Sequence, residues 1–252
     1  EAAKNPEAWL EVLAKAPADK CANGFLHGAF QARFGGEVFT KDSLTELFPM
    51  LDRICRMGEV RDFTSNEQAS CYHAIGHLAM YITNASVPES NRLCNELANN
   101  EEGNFLETCY EGSFMQVFEP FDAEDKALVA DIAPTNRAEA EQFCDRFSNE
   151  PRTACHREAW ILFFDELKDP GELERYCTYI PEENATRKCY EKMFLNFTTY
   201  YQLDRDATRD FCLTVQEEWR GKCFTHSAAR MVTSDYGLVE RAASLCEAGR
   251  EY

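Results

Sequence analysis

Apolar residues in this chain recur in short blocks at helical spacing, and each block is anchored by a cysteine. In one kind of segment, the residue directly before the cysteine and the residue four later are mostly apolar. In the other kind, residues one, five and nine positions after the cysteine form the apolar face. The clearest examples of the second kind are Tyr72, Gly76 and Met80; Tyr110, Phe114 and Phe118; His156, Trp160 and Phe164. Both spacings predict amphipathic helices, which we call A and B respectively.

A and B segments alternate along the chain, and the B cysteines recur mostly every 34 to 50 residues. Self-similarity at such a period is typical of stacked repeat proteins. We therefore expect an all-α fold, with residues 1–252 forming a single repeat domain of about six helical hairpins and an N-terminal cap helix over 6–16. The hairpins are expected to form a right-handed solenoid, either closed or polymerised end to end. Two longer segments, 35–47 and 122–137, are predicted insertions.

An even number of regularly spaced cysteines, twelve here, indicates disulfides and hence an oxidising compartment. Where the turn lies midway between an A cysteine and the next B cysteine, the two sulfurs stand at the same height on antiparallel helices. The rival phase pairs each B cysteine with the next A cysteine, for example Cys189 with Cys212, and places its turns off-centre. The first phase predicts Cys55–Cys71, Cys94–Cys109, Cys144–Cys155, Cys177–Cys189 and Cys212–Cys223.

The first phase leaves Cys21 and Cys246 over. Either these two cysteines close a ring within one molecule, or Cys246 bonds to, or packs against, the Cys21 repeat of the next molecule. A head-to-tail contact of the second kind propagates as a filament. The expected partner is therefore a protein, and the leading hypothesis is another copy of this chain.

Composition limits which compartment and which classes of partner are expected. A net charge of −18 opposes binding to nucleic acid and to anionic membrane surfaces. No apolar run approaches the length of a membrane span, and no signal peptide is visible, so the chain is expected to be a mature product. Together with the cysteines, three N-x-[ST] sequons favour an extracytoplasmic location. Their candidate glycosylation sites are Asn84, Asn184 and Asn196.

Histidine is confined to the B segments, within six residues after a B cysteine: His27, His73, His77, His156 and His226. His73 and His77 are four residues apart and share one helical face. His27 occupies the place of His77 in the preceding repeat, and Glu111 the place of His73 in the following one. Stacking would bring the four together as a site for Zn²⁺, Cu²⁺ or Fe²⁺. The alternative is that these positions are simply polar residues on a solvent-facing wall.

The αα-hairpin period resembles that of tetratricopeptide and Sel1-like repeats, and disulfide-stapled Sel1-like secreted proteins are the nearest likeness. The likeness covers most of the chain. However, the W-x₂-L-G-x₂-Y pattern is absent, and the cysteines are spaced more widely than in those proteins. The resemblance implies a helical-hairpin fold and assigns no functional residue.

Catalytic signatures are absent: the sequence has no H-E-x-x-H, G-x-S-x-G, P-loop or G-x-G-x-x-G motif. The acidic turns at Asp122 and Asp204 lack the calcium-loop pattern and are predicted to be helix caps. Two functions remain. The first is an extracytoplasmic, non-catalytic scaffold that binds protein or self-assembles. The alternative is a metal-dependent enzyme that uses His27, His73 and His77, with Glu111 as a ligand or general base.

Overall fold

The described chain is mainly helical. The computed structural model describes residues 11–12, 14–15, 28–29, 32–33, 41–56, 58–60, 62–100, 103–120, 122–180 and 183–252. Twelve α-helices lie within these residues, and the β structure there is one pair of two-residue strands. The all-α class predicted from the apolar pattern is confirmed. Within the same residues, no helix combines the length and apolar character needed to cross a bilayer.

Contacts along the chain group it into two compact units, Glu1–Leu162 and Phe163–Tyr252. The single repeat domain and the solenoid remain predictions. The cap helix expected over 6–16 lies mostly outside the described residues.

In the first unit, A and B helices alternate as the sequence predicts. The B helices α2 and α4 pack together, and α4 also packs on the next B helix, α7. Helix α5 lies in the segment predicted as an insertion. Strands β1 (Asn99–Asn100) and β2 (Gly103–Asn104) form a small antiparallel ladder between α3 and α4. The helices are α1 (Lys41–Ile54), α2 (Ser65–Ile82), α3 (Val87–Ala98), α4 (Leu106–Phe118), α5 (Ala123–Val129), α6 (Arg137–Cys144) and α7 (Asn149–Glu158).

The second unit continues the alternation with two further hairpins and a final A helix. Its B helices α9 and α11 pack on each other, and α11 also carries the A helix α12. The helices are α8 (Pro170–Cys177), α9 (Glu183–Tyr200), α10 (Arg205–Thr214), α11 (Glu217–Ser234) and α12 (Val239–Ala248).

Five cysteine pairs stand at disulfide distance, one in each hairpin, with Cα–Cα separations of 5.3 to 5.6 Å. They are the five pairs expected from the centring of the turns; the rival phase is not observed. Each closes a short loop, because the paired cysteines are only 11 to 16 residues apart. The pairs are Cys55–Cys71, Cys94–Cys109, Cys144–Cys155, Cys177–Cys189 and Cys212–Cys223.

Side-chain caps fix where several helices begin. Thr64 and Glu67 form a capping box at the start of α2, in which the Glu67 carboxylate accepts from the Thr64 backbone N–H at 2.8 Å. Asp122 accepts from the backbone N–H groups of two residues in the first turn of α5. Asp204 accepts from the Ala207 N–H at 2.8 Å. Both acidic turns are therefore helix caps, as predicted.

After each of the five B cysteines that the structure describes, the next residue lies in the core. It is a buried tyrosine in three hairpins and a buried phenylalanine in a fourth: Tyr72, Tyr110, Tyr190 and Phe224. Burial of one such side chain contributes about 1.5–3 kcal/mol. Burial also raises the pKa of Tyr110 to about 12. The B stripe seen in the sequence is thus the packing face.

Helices α2 and α4 approach until their backbones touch, which only glycine permits. A Cβ added to Gly76 would overlap the carbonyl oxygen of Cys109, and one added to Gly112 would overlap that of His73. Ser113 uses the same contact and donates to the Gly76 carbonyl at 3.1 Å. Gly76, five positions after Cys71 in the B stripe, is therefore required by the packing.

Replacing Gly112 with alanine is expected to destabilise the first unit by about 1–3 kcal/mol or more, because the new methyl group must separate α2 from α4. Chemical denaturation of the oxidised protein measures the free energy of unfolding. The matched control is Gly28→Ala, because an added Cβ at Gly28 meets nothing within 4 Å. Equal stabilities of the two variants would contradict the close approach of α2 and α4.

Candidate functional site

The structure brings His73 and His77 together on α2. Their Nε2 atoms lie 3.3 Å apart, and the two rings meet edge-on with centroids separated by 5.0 Å. His77 is only 6 % exposed, whereas His73 is half-buried. The four-residue spacing on one helix places both rings on the same face, as the sequence predicts.

Gln116, on the neighbouring helix α4, fixes the orientation of His77. Its Oε1 atom lies 2.8 Å from His77 Nδ1, and Gln116 is 1 % exposed. An amide oxygen can only accept, so Nδ1 carries the proton and Nε2 of neutral His77 presents a lone pair. The ring that faces His73 is therefore held in one tautomer by a buried partner.

Glu111 is bound to an arginine. Its carboxylate forms an ion pair with Arg157, a residue of α7 that is 7 % exposed. Arg157 also donates from Nη1 to Glu107 Oε1 at 2.7 Å. One buried guanidinium thus spans two carboxylates of α4, which links α7 to α4.

The predicted four-ligand metal site includes His27, which lies outside the described residues, so the full set stays a prediction. Among the residues that the structure describes, no three His, Cys, Asp or Glu side chains are grouped so as to hold one metal ion. His73 and His77 come together as predicted, but Glu111 does not complete a set with them, and Arg157 accounts for its charge.

The other two described histidines are paired separately. His156 is 7 % exposed, with Nε2 at 3.4 Å from Asp145 Oδ1. Burial lowers the pKa of His156 despite the opposing effect of the Asp145 carboxylate, so the ring is packed in its neutral form. His226 lies 3.7 Å from Glu191 in the second unit.

The second candidate site is the exposed face of α12 and of the 3₁₀ turn before it. Tyr236 and Val239 are 79 % and 55 % exposed, although both are large apolar side chains. Ala243 and Cys246 are also exposed, and at intervals of three and four residues the four share one side of the helix. We call these four residues the α12 face. The neighbouring side of the helix is buried through Ala242 and Leu245.

Cys246 is the only unpaired cysteine among the described residues, and it is exposed. Its predicted partner, Cys21, lies outside those residues. The α12 face therefore combines large exposed apolar side chains with an exposed thiol.

The three sequons differ in accessibility. Asn84 is exposed in the turn after α2, at a left-handed φ of 50°. Asn184 is exposed in the first turn of α9 and accepts from Arg187 at 2.7 Å. Asn196, in contrast, has its Nδ2 atom buried within α9, and Thr198 of the same sequon is fully buried. Only Asn84 and Asn184 are exposed, as attachment of a glycan to the side-chain amide nitrogen requires.

Sequence reasoning missed Gln116 and Arg157. Each is a polar residue in a B segment that also carries the apolar packing face, CYEGSFMQVF and CHREAWILFF. That position was the available signal, because a polar side chain within a core helix needs a buried partner. The sequence does not reveal which partner it has.

No protein-family model, no curated protein and no solved structure matches this chain. The resemblance to Sel1-like and tetratricopeptide repeats accordingly stays a prediction.

If the protein is secreted from a eukaryotic cell, glycans are expected on Asn84 and Asn184 and not on Asn196, because the Asn196 amide is buried in the folded chain. Enzymatic glycan removal in ¹⁸O water, followed by peptide mass analysis, marks each occupied asparagine. The three sites serve as internal controls for one another. Occupancy at Asn196 in folded protein would contradict the packing of α9.

Proposed function

We propose that this chain is an extracytoplasmic, non-catalytic scaffold that assembles with copies of itself head to tail through the α12 face. The single observation that carries the proposal is Cys246. It lies exposed on a helix face with large apolar side chains, whereas every other described cysteine is in a disulfide.

The disulfides support the location. Five pairs at disulfide distance in 252 residues would be unusual in a reducing cytosol, but they are common in oxidising compartments. An unpaired, exposed cysteine in such a compartment is a candidate for a bond between molecules.

Apolar exposure on the α12 face supports assembly over simple solubility. Tyr236 leaves most of its ring in water, and Val239 lies one helical turn further on. Burying both against a second copy would remove apolar area from water, at roughly 25 cal/mol per Å² of buried surface. Such contact would also place Cys246 at the interface.

The covalent step needs an oxidant. The Cys246 and Cys21 thiols together release two protons and two electrons as the S–S bond forms. A disulfide-bonded oxidoreductase of the same compartment, itself reduced to a dithiol, accepts them. The packing contact through Tyr236 and Val239 needs no oxidant and would precede this step.

Non-reducing electrophoresis of purified, oxidised protein tests the proposal. A ladder of multiples of the 28.8 kDa chain is expected, and it should collapse to one band on reduction. Cys246→Ser and Cys21→Ser should each abolish the ladder, because each removes one end of the same bond. The matched control is Ser244→Cys in the Cys246→Ser background, which returns a thiol to α12 two residues from the original position.

Other band patterns would contradict the proposal. A monomer with Cys21 joined to Cys246 inside one chain would replace assembly with ring closure. A dimer that persists in Cys21→Ser would indicate pairing of two α12 faces. In the oxidised Cys246→Ser protein, which keeps its hairpin disulfides, Tyr236→Ser together with Val239→Ser should weaken sedimenting assemblies at least tenfold, and no effect would remove the apolar contact from the account.

A further inference from the structure

We propose that His73 and His77 together bind one divalent late transition-metal ion, with Gln116 as the positioning residue that holds His77 in the ligating tautomer. This site lies in the first unit. It is independent of the α12 face and of the assembly proposed for it.

The distance between the two histidines suits a shared metal ion. When two imidazole nitrogens bind one tetrahedral ion at about 2.0–2.1 Å each, they stand about 3.3–3.4 Å apart. The observed Nε2–Nε2 separation is 3.3 Å. In the metal-free contact His73 Nε2 donates to His77 Nε2, so binding also requires His73 to move its proton to Nδ1 and both rings to turn their Nε2 lone pairs towards one ion.

The surroundings of His77 match those of a metal ligand. A ligating imidazole generally donates its second ring N–H to an oxygen, which fixes the tautomer and the ring plane. Here His77 Nδ1 donates to Gln116 Oε1 at 2.8 Å, and both residues are more than nine-tenths buried. Nε2 is thereby left as the ligating atom, directed towards His73.

The backbone contact between α2 and α4 makes this arrangement rigid. Gly76 and Gly112 allow the helices to touch, His77 directly follows Gly76, and Gln116 lies one turn after Gly112. Gln116 and His77 are therefore both positioned by packed helices, not by a loop. A preorganised site of this kind loses little entropy when it binds an ion.

The donor chemistry selects the ion. Two neutral imidazoles favour copper, nickel and zinc over calcium and magnesium, which prefer oxygen ligands. Because Cu²⁺ stands highest in the general affinity order, it should bind more tightly than Zn²⁺. His73 is half-buried, so water can fill the remaining coordination positions from its side.

Titration calorimetry with Zn²⁺ or Cu²⁺ salts tests the site in the oxidised, full-length Cys21→Ser/Cys246→Ser protein, in which the two end thiols cannot compete. One equivalent of metal should bind. His73→Ala should lower the affinity at least tenfold, whereas His226→Ala, a histidine of the second unit, should leave it unchanged. Absence of stoichiometric binding, or binding that His73→Ala does not weaken, would overturn the proposal.

Two spectroscopic measurements keep the test decisive if a histidine variant folds poorly. Electron paramagnetic resonance of the Cu²⁺-loaded protein should show coupling to two imidazole nitrogens, and coupling to fewer would overturn the paired site.

Ring ¹⁵N shifts of metal-free protein should report His77 as the Nδ1–H tautomer. Gln116→Leu should mix the tautomers and weaken binding about tenfold. An unchanged tautomer and affinity would remove Gln116 from the site.

Discussion

The disulfide between the two helices of each hairpin is the constraint on which the rest of this structure depends. Isolated helices shorter than about 12–15 residues are marginal in water, and α6 and α8 have only eight residues each. A bond between helices whose cysteines are 11 to 16 residues apart restricts the unfolded chain and contributes about 2–4 kcal/mol. The hairpin, and not the single helix, is thus the stable unit.

Because a disulfide already joins the two helices of a hairpin, the B helices of successive hairpins can pack on each other. In the first unit this packing brings Gly76 of α2 against α4, and the resulting backbone contact sets Gln116 opposite His77. The next hairpin adds Arg157, which binds two carboxylates of α4. In the second unit, α12 packs on α11 through one side only and leaves Tyr236 and Val239 in water. Both proposed sites therefore follow from how successive hairpins stack.

Much of the fold could be predicted because its determinants are local. The position of a turn between two cysteines is visible in the sequence, and turns centred between two cysteines predicted the observed pairing. The tyrosine or phenylalanine after four of the B cysteines marked the core for the same reason. Asp122 and Asp204 marked the starts of α5 and α10, because each caps the first turn of the helix that follows it.

The candidate site was harder to predict because its partners are distant along the chain. His77 and Gln116 are 39 residues apart, and Arg157 lies 50 residues from Glu107. The four-residue spacing correctly placed His73 beside His77, since both lie on one helix. Repeat equivalence assigned Glu111 to the histidines, but it does not show that a buried arginine on the next hairpin binds the carboxylate. Helical periodicity identifies a face and leaves open what packs against it.

Unfolding of the oxidised and the fully reduced protein, followed by far-ultraviolet circular dichroism against denaturant, tests the central claim most directly. If hairpin disulfides hold the fold, the oxidised chain should unfold cooperatively, and reduction should lower its stability by several kcal/mol, enough to remove most of the helical signal. The Cys212→Ala/Cys223→Ala variant, which lacks one staple, should lie between the two. A reduced protein that keeps its helical signal and its unfolding midpoint would contradict the account.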